Sequence, residues 1–190
     1  YPADRLISEM DYAGVDKALL HRTPYLGIGN DFIAECVAKY PDRLHGLAHV
    51  REWKTRTDPE DSIANLERAI EIQGLSGLHF LPPQLDLYGY TGPWDTSEFH
   101  TFWDAVAKMN IPVFFSLKER SSPAQESYIQ DVRTLIRWME RYPDVQVIMT
   151  HGMGWRLFID GDGLNISEEV WRAFDNANLY LQWLFPIALG

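Results

Sequence analysis

A single cysteine, Cys36, stands in a chain of 190 residues, so no disulfide framework holds the fold together. Its setting, Phe32-Ile-Ala-Glu-Cys-Val-Ala, is a helical pattern in which cysteine acts as a small buried hydrophobe, and a lone reduced thiol suits the cytoplasm. Every apolar run falls short of the ~20 residues that a transmembrane helix needs, so no membrane partner is expected. No basic segment leads into an apolar stretch as it does in a secretory leader. The chain opens on Tyr1 rather than Met, which leads us to expect a further segment upstream. Positive charge is scarce as well: 17 Lys and Arg face 27 Asp and Glu, for a net charge of −10. Nucleic-acid binding draws on concentrated basic stripes that release counterions, and none is present, so that class is excluded. Glycine-rich phosphate loops of the G-x-G-x-x-G or P-loop type are also missing.

What is present is the composition of a soluble globular protein, 46% hydrophobic and 23% charged. Six short apolar strands are expected, beginning near Val15, Leu44, Leu75, Ile111, Val145 and Leu179, roughly 33 residues apart. Between them lie amphipathic helices with their own punctuation. One runs from Arg5 to Ala13 and ends at Gly14; another runs from Asp31 to Tyr40 and stops at Pro41. Asp58-Pro59-Glu60 opens a third, which Gly74 closes, and Thr96-Ser97-Glu98 opens a fourth. The longest spans Gln125 to Tyr142, and the most irregular loop is Gly89–Trp94. Two helix-to-strand joints share wording, Lys39-Tyr40-Pro41-Asp42-Arg43 and Arg141-Tyr142-Pro143-Asp144. Strict strand–helix alternation predicts a parallel sheet with right-handed crossovers, either doubly wound or a (β/α)8 TIM barrel. The missing phosphate loop and the six near-equal units favour the barrel. A barrel needs eight units, so about one is expected before Tyr1 and one after Gly190, with residues 1–190 forming one partial TIM-barrel domain.

A barrel builds its site at the carboxyl ends of its strands. Those ends carry His21-Arg22, Val50-Arg51, His79-Phe80, Ser116-Leu117-Lys118-Glu119, Thr150-His151 and Gln182-Trp183. The Thr150-His151-Gly152-Met153-Gly154-Trp155-Arg156 stretch follows the strand Val145–Met149, and its glycines allow a sharp turn and a close ligand approach. His151 is therefore the central candidate. His21, Lys118 and Arg156 are substrate-binding candidates, the two cations because they suit an anionic ligand. His45, near a strand entrance, reads as structural, and His100, on an early helical turn, as solvated. His49 is open, and His79 faces either the barrel interior or the helix layer. The Trp and Phe residues at helical spacing read as core.

Several stretches, in this order along the chain, resemble the amidohydrolase superfamily: Leu6-Ile-Ser-Glu-Met-Asp-Tyr-Ala-Gly-Val-Asp16, Tyr40-Pro-Asp-Arg-Leu44, Gly46-Leu-Ala48, Gly74-Leu-Ser-Gly-Leu78 and Thr150-His-Gly152. The branch they are most similar to is the amidohydrolase-related group of aminocarboxymuconate-semialdehyde and resorcylate decarboxylases. The resemblance implies a metal-dependent TIM barrel, with zinc as the expected divalent ion. It also implies a small, carboxylated or aromatic substrate, processed by hydrolysis or non-oxidative decarboxylation. It further implies that His151 is the sixth-strand histidine, an acid/base beside the metal or a metal ligand. The family's first-strand H-x-H and eighth-strand Asp have no counterpart here and belong to the segments expected outside Tyr1–Gly190. At the fifth-strand position Ser116 stands where the family often has His, and Ser is a poor ligand for zinc. That departure keeps open a second reading, a catalytically idle barrel that binds a ligand or partner. Unpaired sheet edges in six units predict self-association, so a homo-oligomer is expected.

Overall fold

The computed structural model describes residues 2–21, 29–117, 124–152, 154–161 and 163–182. Helix α1 (Ala3–Ala13) leads into β1 (Ala18–Leu20), and α2 (Asn30–Lys39) into β2 (Leu44–Gly46). Helices α3 (Lys54–Thr57) and α4 (Pro59–Glu67), the latter prolonged by a π-helical segment at Arg68–Ile72, precede β3 (Leu78–Phe80). Then come α5 (Pro83–Leu87), α6 (Ser97–Met109), β4 (Val113–Phe115), α7 (Ala124–Arg141) and β5 (Val147–Met149). A 3-10 turn at Trp155–Phe158 is followed by an antiparallel hairpin of β6 (Ile159–Asp160) and β7 (Gly163–Leu164). Helix α8 (Glu168–Trp171), a second 3-10 turn at Arg172–Asp175 and β8 (Leu179–Leu181) complete the order.

All six strands expected from the sequence are present and run parallel. Ala18 pairs with Leu44, an isolated bridge joins Ala48 to Leu78, and one row continues through Val113, Val147 and Leu179. Spatial order therefore follows chain order from β1 to β5 and then β8. A doubly wound sheet reverses its order at a switch point, whereas a barrel adds each strand on the same side. The chain is an α/β protein whose parallel strands form an arc of a TIM barrel. Close strand packing shows at Gly77, where a Cβ would lie 2.7 Å from the Pro112 carbonyl oxygen, so only glycine fits.

Side chains alternate across the arc. Leu78, Phe80, Val113, Phe115, Val147 and Met149 are buried against the helices, while Phe114 and Ile148, on the other face, are only half-buried. The helix-side core is aromatic. Phe80 meets Trp103 edge to face at 4.7 Å, Trp94 stacks on Phe115 at 4.8 Å, and Trp138 closes on both Trp103 and Phe115 at 5.2 Å. Such offset and T-shaped contacts suit the ring quadrupoles. Trp94 comes from the irregular loop, which thus serves the core rather than lying free in solvent; its carbonyl accepts Trp103 Nε1–H at 2.8 Å. His100, expected to be solvated, is half-buried, with Nε2 3.2 Å from the Asp95 carbonyl oxygen.

The repeated joints build the same device twice. Tyr40 donates its hydroxyl to Asp4 of α1 at 2.5 Å, and Tyr142 donates to Asp104 of α6 at 2.7 Å. The preceding base pairs with the same carboxylate each time, Lys39 with Asp4 at 2.5 Å and Arg141 with Asp104 at 3.7 Å. Each joint pins the end of one helix to the helix before it, and that fixes where the next strand starts.

Candidate functional site

Strand parity decides which polar groups reach the inner face. His79 is paired with Phe114, and Phe114 with Ile148, so the inner positions one step further along are Ser116 and Thr150. All three polar side chains lie at the carboxyl ends of adjacent strands and are 1–3% exposed. They form one row. His79 Nε2 is 2.8 Å from Ser116 Oγ, which is 2.5 Å from Thr150 Oγ1, and Thr150 Oγ1 donates to the Phe115 carbonyl at 3.1 Å. Backbone bonds hold the frame: Ser116 N–H donates to Phe80 O at 3.2 Å and Thr150 N–H to Phe115 O at 2.9 Å. His21, exposed just beyond β1, meets the His79 ring edge to face, with centroids 4.7 Å apart.

The loops that follow β2 and β3 are tied together beside this row. Leu81 N–H donates to Oε1 of Glu52, whose side chain is fully buried, at 3.3 Å, and the Trp53 ring stacks on Tyr88 at 3.5 Å. Asn30, at the start of α2, donates to the His49 carbonyl at 3.0 Å and accepts its N–H at 2.9 Å. His45 sits at the other end, exposed in a recess with Lys17, Leu19 and Phe114, as its place near a strand entrance implies.

His151 directly follows Thr150 in an unusual backbone. Its φ is 62°, a left-handed conformation uncommon for residues with a side chain, and Gly152 at 66° and Gly154 at 28° continue the turn. A Cβ on Gly154 would come within 2.7 Å of the Tyr128 ring, so glycine is required there for space as well as for angle. The His151 N–H donates to Gln182 Oε1 at 3.3 Å, and Gln182 N–H to Met149 O at 3.0 Å, which ties the turn to the strand beyond it. The imidazole itself is exposed. Lys118 lies outside the described residues, and so does the side chain of Arg156.

The structure thus brings His21 and His79 together and adds Thr150, placed by the sequence only at a strand end, and Ser116, noted there as standing where the family often has His. His79, left open between two faces, belongs to the inner one. Glu52 was missed, because it lies just past the strand end Val50-Arg51 and nothing in the local pattern marks its burial, whereas the alternation through Phe114 and Ile148 could have singled out Ser116 and Thr150. Among the described residues, no group of three or more His, Cys, Asp or Glu side chains is placed to hold a metal ion.

Known proteins match this chain along nearly its whole length. A curated relative, the gamma-resorcylate decarboxylase of Polaromonas sp. (strain JS666 / ATCC BAA-500), is 26% identical; the match covers 80% of this chain and 48% of that protein. The chain therefore spans about half the length of the curated relative it matches. Two solved structures share the fold. An uncharacterized TIM-barrel protein from Bordetella bronchiseptica superposes with a TM-score of 0.70 at 18% identity, over 94% of this chain and 58% of that one. A dihydroxybenzoic acid decarboxylase from Polaromonas sp. JS666, solved with manganese and the inhibitor 2-nitroresorcinol, gives 0.68 at 21% identity over 95% and 67%. A family model described as Amidohydrolase matches residues 3–187. With the parallel arc and its polar strand ends, that match shows that the chain belongs to the amidohydrolase family.

Proposed function

We propose that the strand-end site serves the non-oxidative decarboxylation of a small hydroxylated aromatic carboxylate. The observation that carries this reading is the buried row His79–Ser116–Thr150 with His21 against it, a polar constellation at the end of the barrel where ligands bind. The decarboxylase relatives support the choice of reaction over hydrolysis. In that reaction the bond from ring carbon to carboxylate breaks, carbon dioxide leaves, and the ring carbon takes up one proton. The protein must hold the carboxylate, exclude water and deliver the proton. Histidine is suited to the last task because its charge changes near neutral pH.

In this reading His151 exchanges the proton or ligates a metal, His21 borders the substrate, and Lys118 and Arg156 are the cations that the sequence offers for its carboxylate. Manganese in one relative supports a divalent ion, and zinc stands as the ion implied by the sequence resemblance. The described residues do not by themselves fit such an ion. The domain is read as one partial barrel over residues 1–190, and self-association of copies belongs to the same proposal. The buried free thiol of Cys36 supports a reducing compartment such as the cytoplasm. No helix among the described residues is long and apolar enough to cross a membrane.

The test is a panel of hydroxybenzoates assayed for carbon dioxide release, with and without added manganese or zinc, beside a panel of esters and amides. Release from at least one hydroxybenzoate is expected. Hydrolysis without any decarboxylation would replace this reading with a hydrolase. Saturable binding of the same compounds without turnover would replace it with a binding-only barrel.

A further inference from the structure

The buried row has a direction. A hydroxyl group carries one proton, and Thr150 places its proton on the Phe115 carbonyl, which can only accept. Toward Ser116, Thr150 Oγ1 is therefore an acceptor, and Ser116 Oγ must be the donor in that contact. With its own proton committed, Ser116 accepts from His79, so His79 Nε2 is the nitrogen that bears hydrogen. Neutral His79 then carries its lone pair on Nδ1. No other assignment of the two hydroxyl protons satisfies all three contacts. The row is 1–3% exposed, so bulk water does not compete for these bonds.

We propose that Ser116 and Thr150 are positioning residues that lock His79 in the tautomer with hydrogen on Nε2 and the basic site on Nδ1. Any proton that His79 takes up from a bound ligand goes to Nδ1, while Nε2–H stays on Ser116, so the ring turns neither over nor away during proton exchange. Ser116, in a position where the resemblance leads one to expect a metal ligand, thus has a different task. It transmits the polarity of a backbone carbonyl on β4 to an imidazole on β3. The catalytic importance of this device rests on the decarboxylase reading above; the tautomer assignment does not.

The test is long-range proton–nitrogen spectroscopy of the protein with nitrogen-labelled histidine, at a pH above the histidine titrations. His79→Gln assigns the His79 signals. The wild type should show hydrogen on Nε2. Thr150→Val removes the acceptor for the Ser116 proton and leaves that proton free to turn toward Nε2. The tautomer ratio should then shift by roughly tenfold toward Nδ1–H, the scale of one hydrogen bond. Thr150→Ser, which keeps the hydroxyl, should retain the wild-type ratio, and Ser116→Ala should weaken the Nε2–H preference if the Val variant does not fold. Hydrogen on Nδ1 in the wild type, or a ratio that is the same in wild type, Val and Ala variants, would overturn the proposal. In a decarboxylation assay Thr150→Val should lower kcat by about tenfold and leave KM within about twofold. A directed row with no decarboxylation of any hydroxybenzoate would remove the function and leave the inference standing. Decarboxylation by a protein whose His79 carries hydrogen on Nδ1 would do the reverse.

Discussion

The side-chain amide of Asn30 meets both backbone polar groups of His49, accepting its N–H at 2.9 Å and donating to its carbonyl at 3.0 Å. Asn30 takes the part of a neighbouring strand here, pairing the backbone that leaves β2. Asn30→Ala leaves both groups half-buried without this partner and should cost about 1–3 kcal/mol. Urea unfolding should show a lower midpoint with an unchanged slope. An unchanged midpoint would mean that water replaces the amide at no cost.

The aromatic core yields the largest expected loss. Trp103 is fully buried among Phe80, Trp94, Phe115 and Trp138. Trp103→Ala should destabilise the fold by about 3–5 kcal/mol. Trp103→Phe keeps a ring but leaves the Trp94 carbonyl without its donor, and should lose less. Thermal or urea unfolding of both variants gives the order; equal losses would count against the hydrogen bond.

Alkaline pH should act through Tyr142. Burial first, and donation to Asp104 second, push its phenol up to about 12, against the partial opposition of Arg141. An unfolded tyrosine titrates near 10. Because the folded value is the higher one, the stabilisation is complete below about pH 10 and is lost as pH rises toward about 12. Stability of the wild type should therefore fall more steeply across that window than that of Tyr142→Phe. Parallel curves in the two proteins would show that the phenol does not contribute.

The strands were legible because they are short, apolar and evenly spaced, and the barrel because nothing in the chain announces a doubly wound nucleotide fold. Boundaries followed from local chemistry. Gly14 ends α1 in a left-handed conformation, and Pro59 opens α4. The shared Tyr-Pro-Asp wording was visible, but not its meaning, since Asp4 and Asp104 lie 36 and 38 residues away from their tyrosines. The hairpin of β6 and β7 was not foreseen, for strands of two residues leave no periodic signal. At the site, His151 and His21 could be picked out as histidines at strand ends. Ser116 and Thr150 could not be assigned a role, because hydroxyl groups gain direction only from the carbonyl they are built against. His79 needed the register, since a one-residue slip would turn it to the helix layer.

The central claim is that this strand end carries out proton transfer during decarboxylation, and His151 offers the most direct test of it. Carbon dioxide release from a carboxyl-labelled dihydroxybenzoate should be measured for the wild type and for His151→Asn, with bound metal quantified in both proteins. The account predicts release by the wild type and loss of turnover by at least about 100-fold in the variant, with whatever metal the wild type holds largely retained, as proton transfer rather than ligation requires. Metal lost together with turnover would make His151 a ligand. Turnover undiminished in His151→Asn would contradict the account.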